Sequence, residues 1–237
     1  MTDGISPRAR ARLAGLFEAL EGFPAAFGQV VVVGTLVVAN DAAATAGNIL
    51  DHQVLYRLGF AIPLLAVGFH IVWALLMYQL LRVVNRTISV LAFSVILVGC
   101  AIQAAAALVY LAPLVILQDG HTLTAFTTQQ LQSTTLVLVD MSRQTFNLYL
   151  IFFGLWCVLA GYLIFRSTFL PRVLGVLLVL DGLGWMTFLW PPLATSIYPA
   201  IAVVSGVAEL PLLLWLLVFG VDEKRWLEQA TQAGISR

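Results

Sequence analysis

Four polar side chains interrupt long apolar runs: His70, Gln103, Asp181 and Glu209. Exposing a carboxylic acid to hydrocarbon costs roughly 2.5 kcal/mol or more on insertion scales, so such groups turn toward a protein interior. A second set, Asp140, Arg143, Gln144 and Asn147, falls at i, i+3, i+4 and i+7, the spacing of one helical face. Two kinds of chemistry are open to these residues. Glu209, Asp181 or Asp140 could serve as a catalytic proton donor to a lipid or isoprenoid entering sideways from the bilayer. Alternatively, the same acids could hold the polar head of a small amphiphile or relay protons, with His70, Gln103, Arg143 and Asn147 as ligand-binding groups. A third reading makes the buried polar groups structural only, as hydrogen bonds that fix the register of neighbouring helices.

Other chemistries lack their residues. The chain has no glycine-rich phosphate loop, no Gly-x-Ser-x-Gly elbow, no His-Glu-x-x-His and no paired cysteines. Cys100 and Cys157 stand apart inside apolar runs and read as packing residues. The histidines His52, His70 and His121 fall in different segments without metal-ligand spacing. No cofactor or metal is expected. The formal net charge is +0, which implies no global attraction to nucleic acid. Membrane lipids, and a possible small amphiphilic ligand, are the expected partners.

The elements that must carry these groups follow from composition. Hydrophobic residues make up 61% of the chain and charged residues 10%, against roughly 25% charged in ordinary soluble domains. The expected fold is therefore all-α: a polytopic membrane bundle of six transmembrane helices with both termini cytoplasmic. The spans are placed at about 13–38, 55–81, 88–117, 136–165, 173–190 and 200–221, in a single membrane domain covering 1–237. Polar external loops fall at 40–54 and 118–135, a third connection at 191–198, and a cytoplasmic tail at 222–237. Glu18 and Glu21 interrupt the first run, which argues against a cleavable signal peptide; they sit near the cytoplasmic headgroups or face the bundle. Asp41 is placed to cap a short helix in the first loop. Asp119-Gly120 signals a turn in the second.

Basic residues set the orientation. Of the 12 Lys and Arg, ten (Arg8, Arg10, Arg12, Arg82, Arg86, Arg166, Arg172, Lys224, Arg225 and Arg237) fall on one side of a six-span arrangement, and only Arg57 and Arg143 on the other. Small residues suggest where helices approach closely: Gly99, Cys100, Gln103, Ala106 and Ala107 on the third span, and Ala202, Ser205 and Gly206 on the face of Glu209. Pro211 loosens the backbone just beyond that acid.

Several segments together carry a resemblance: DAAATAGNI at 41–49, LYRLGF at 55–60, RVVNR at 82–86, GYLIFRSTFLPRVLGVLLVLDGLG at 161–184 and ELPLLLWLLVFGV at 209–221. They resemble the bacterial integral-membrane family catalogued as domain of unknown function 4386. That resemblance implies a six-span protein of the bacterial inner (cytoplasmic) membrane and brings no mechanism with it. Where it leads one to expect a histidine or aromatic and glycine residues after Asp140, this chain has Ser142, Arg143 and Gln144.

Overall fold

The computed structural model describes residues 4–118 and 125–235; the expected turn at Asp119-Gly120, together with His121 and Arg237, lies outside the described residues. Among the described residues all regular structure is helical. The helices are α1 (Pro7–Ala26), α2 (Gly34–Leu36), α3 (Ala42–Asp51), α4 (Gln53–Leu81), α5 (Arg86–Gln118), α6 (Thr128–Arg166), α7 (Arg172–Met186), α8 (Pro191–Val218) and α9 (Glu223–Gln232). Among the described residues five segments are long and apolar enough to cross a membrane: Gln53–Leu81, Arg86–Gln118, Thr128–Arg166, Arg172–Leu189 and Pro191–Val218. The protein is thus an all-helical, multi-pass membrane protein.

The first of the six expected spans is built differently. Between α1 and α2 the chain winds as a π-helix over Phe27–Val33. Pro24 cannot donate to the carbonyl of Leu20, and Gly28 followed by the β-branched run Val31–Val33 weakens the ordinary α-helical turn. Pro7–Leu36 is therefore a helical run interrupted by a π-helical segment.

Backbone packing groups the chain into two compact units, Met1–Ala19 with Phe69–Cys100 and Leu148–Arg237, and Leu20–Gly68 with Ala101–Asn147. Helices α1, α4, α5 and α6 each supply a segment to both.

In the first unit, α6 and α7 touch backbone to backbone. Gly154 and Gly161 are two helical turns apart, as are Gly175 and Gly182, so each pair lines one face. A methyl group placed on Gly161 would stand 2.7 Å from the Gly175 carbonyl oxygen, and one on Gly154 would stand 2.6 Å from that of Gly182. In lipid, helices gain little from apolar contact alone, so such close approach is a main source of their association. Gly206, in contrast, has nothing within 4 Å of where a side chain would begin, and Ala202 is exposed. Of the small residues expected to contact a neighbour on α8, Ser205 alone is buried against α7, and the closest backbone approach lies between α6 and α7.

The ends of this unit are tied by polar contacts. Arg12 donates to the Val218 carbonyl oxygen (2.9 Å), Trp226 Nε1 to that of Leu80 (2.9 Å), and the Asp222 N–H to that of Phe169 (3.2 Å). The tail residues after Asp222 form α9, capped by the Asp222 carboxylate on the Arg225 N–H. Between α7 and α8 lies a 3-10 turn, Thr187–Leu189. Helix α8 then begins at Pro191, because proline is well suited to the first helical position, where no donor is needed. The segment 191–198 expected as a connection is consequently the first two turns of α8.

The second unit carries the π-helical segment and α3. Asp41 caps α3 by accepting from the Ala44 N–H (2.9 Å), as its position in the sequence suggests. Thr45 exchanges hydrogen bonds with the Val38 backbone, and Asn48 Nδ2 donates to the Leu36 carbonyl (3.2 Å). The core here is Val32, Leu36, Ile49, Tyr56, Tyr110 and Leu114.

Candidate functional site

Asp181 lies near the middle of the Arg172–Leu189 span and is 0% exposed. Its Oδ1 accepts a short hydrogen bond from the Ser205 hydroxyl on α8. One turn beyond each partner stand Trp185 and Glu209. Side chains on a helix lean toward its N-terminus, so on these antiparallel neighbours Trp185 leans back over Asp181 and Glu209 leans back over Ser205. They meet at 3.4 Å, with Trp185 Nε1 donating to Glu209 Oε1. Both also stand within interaction range of the Asp181 carboxyl.

Helix α6 adds Cys157, which is fully buried and abuts Gly182, with its thiol at the Asp181 carboxyl. Only a glycine at 182 lets the thiol reach this depth, since an added methyl would stand 2.9 Å from Cys157 Cβ. Glu18 of α1 is near enough to act electrostatically on the same thiol, as are Asp181 and Glu209. The site thus brings together two acids, a thiol, a hydroxyl and an indole N–H, with Glu18 within electrostatic range of the thiol. Such a set can hold a hydrogen-bonding head group, or pass a proton among neighbouring oxygens.

His70, on α4 in the same unit, is buried in an aromatic setting. Its ring meets those of Trp73, Tyr149 and Phe153 edge to face at centroid distances of 5.0, 6.1 and 6.2 Å. Trp156 stacks near Phe153 and packs against Trp73 at 4.4 Å.

The remaining candidates, Gln103, Asp140, Arg143 and Asn147, fall in the second unit. Gln103 is buried on α5. Asp140 and Arg143 pair with each other at 3.0 Å, their side chains 56% and 66% exposed. An exposed pair of this kind contributes about 1 kcal/mol or less. Helix α6 also explains why it is tolerated: from Arg166 back to Arg143 is about 35 Å of helix, longer than the roughly 30 Å hydrocarbon core. Asn147 is half-buried on the same helix. Among the described residues, no group of three or more His, Cys, Asp or Glu is placed to hold a metal ion.

Three participants of the acid site were read otherwise from the sequence. Cys157 was expected to pack, Ser205 to supply only small size, and Trp185 had no assigned part. The available signals were Gly182 beside Asp181, and Ser205 one turn before Glu209.

Residues 13–220 match the family described as "Domain of unknown function (DUF4386)". The chain belongs to the DUF4386 family. No curated protein and no solved structure matches it. The matched region begins within α1 and closes just past α8, so it includes every residue of the acid site and leaves the tail helix α9 outside. Membership therefore covers the membrane-spanning part of this DUF4386 protein.

Proposed function

We propose that this protein resides in the bacterial inner membrane with both termini cytoplasmic, and binds a small amphiphile whose polar head meets Asp181 and Glu209. The observation that carries this reading is the depth of Asp181: a fully buried carboxyl in a membrane span, with Ser205, Cys157, Trp185 and Glu209 from three helices turned toward it. Glu209 is half-buried, and the flank beside it exposes Leu183, Val203, Val207 and Leu210. A lipid-like molecule could lie along that apolar flank and turn its head toward Glu209.

Mass spectrometry of the full-length protein purified in mild detergent tests the proposal. The expected result is one co-extracted amphiphile, bound to the native protein and lost from Glu209→Gln and Asp181→Asn variants that still fold. An amphiphile retained equally by both variants, or none in the native protein, would sink it. Chemical conversion of the bound molecule over time would favour catalysis by the same acids over simple binding.

A further inference from the structure

The second unit holds a cleft of about 40 Å³ where the π-helical segment, α4, α5 and α6 meet, lined by Gly28, Gly59, Pro63, Gln103, Tyr110 and Ser142 among others. Two of its polar atoms are buried without a hydrogen-bond partner among the described residues: Gln103 Oε1 and the Tyr110 hydroxyl. Their residues are 6% and 9% exposed. A third group is added by the backbone, because Pro63 has no N–H to give the carbonyl of Gly59, four residues before it. Leaving buried polar atoms unmatched is costly, and native interiors seldom do so without an occupant.

Glycines leave room beside these groups. A methyl on Gly59 would stand 2.5 Å from the Tyr110 hydroxyl, and one on Gly28 would stand 2.5 Å from Pro63 Cγ. Tyr110 is fixed by stacking on Tyr56 at 4.4 Å, while the Tyr56 hydroxyl donates to the Tyr110 carbonyl. The Ser142 hydroxyl is already used on the Ala106 carbonyl (3.1 Å). What remains is two acceptors, Gln103 Oε1 and the Gly59 carbonyl, beside a phenol that can donate or accept. A hydroxyl group, donor and acceptor at once, complements that set, and the space suits a hydroxymethyl group.

We infer that this cleft binds the primary hydroxyl of a long-chain alcohol or hydroxyl-headed lipid, with Gln103 and Tyr110 as its partners. Its residues are distinct from Asp181 and Glu209, and it does not rest on the reading given for them.

The test uses full-length protein in lipid nanodiscs and a long-chain primary alcohol carrying a photoreactive diazirine next to its hydroxyl. Labelling is expected on peptides containing Gly59–Pro63 or Gln103–Tyr110, displaced by dodecanol and not by dodecane. Gln103→Leu and Tyr110→Phe should each weaken labelling roughly tenfold, the effect of losing one buried hydrogen bond. Gln103→Leu should also melt higher than the native protein when no alcohol is present, since it removes an unmatched polar atom. Ala107→Leu, which keeps both polar groups and fills space, supplies an independent variant and should block labelling. Labelling that dodecane displaces equally, that survives these substitutions, or that falls elsewhere would overturn the inference, as would absence of labelling, which would leave the cleft to water.

Discussion

Asp181 and Ser205 show how much a single hydrogen bond matters where water cannot substitute. The hydroxyl is the defined donor to Asp181 Oδ1, so Ser205→Ala leaves a buried acceptor unmatched and should cost about 1–3 kcal/mol. Ser205→Thr keeps the hydroxyl and should retain most of that stability. Thermal unfolding in detergent gives both values, and in an Asp181→Ala background the Ser205→Ala cost should largely vanish. Equal costs in the two backgrounds would show that the serine acts by packing alone. At this scale the sequence was legible where a residue contrasts with its surroundings: an acid in an apolar run announces itself. Cys157 and Trp185 belong by composition in such a run, and only the packing of α6 and α8 against α7 reveals that they face carboxyls.

Helices α6 and α7 owe their contact to glycines whose spacing is visible in the chain but whose partners are not. Gly161 stands against the Gly175 carbonyl, so Gly161→Ala must push the helices apart, at a cost of about 1–3 kcal/mol or more. Gly206→Ala meets no neighbour and should be neutral or stabilising by up to about 1 kcal/mol, through better helix propensity. A comparison of the two variants by thermal unfolding settles which glycines hold the unit together; similar losses would contradict the assignment. The sequence favoured Gly206 because it shares a face with Glu209, and a face is a property of one helix. Which helix covers it depends on tertiary packing. The π-helical segment escaped for a related reason: hydropathy reports an apolar stretch and is blind to how its backbone winds.

Hydropathy and charge, summed over the whole chain, carried most of the fold, because a bilayer allows an apolar stretch few alternatives to a helix. Orientation rests on a different signal, the side to which basic residues fall, and the contacts of the first unit show which segment ends lie together. Arg12 reaches the end of α8, Trp226 reaches the end of α4, and the backbone after α8 reaches Phe169 in the turn between α6 and α7. One end of that unit therefore collects Arg8, Arg12, Arg82, Arg166, Arg172, Lys224 and Arg225, and a cytoplasmic location for this end satisfies the positive-inside rule. Cysteine accessibility in intact bacteria tests the arrangement directly. Both native cysteines are buried, so background reaction with an impermeant maleimide should be low. Thr168→Cys should be labelled only after the membrane is opened, because it lies in the α6–α7 turn at the basic end. Gly120→Cys, between α5 and α6, should react from outside in intact cells. Labelling of Thr168→Cys in intact cells together with protection of Gly120→Cys would invert the topology and place the basic end outside.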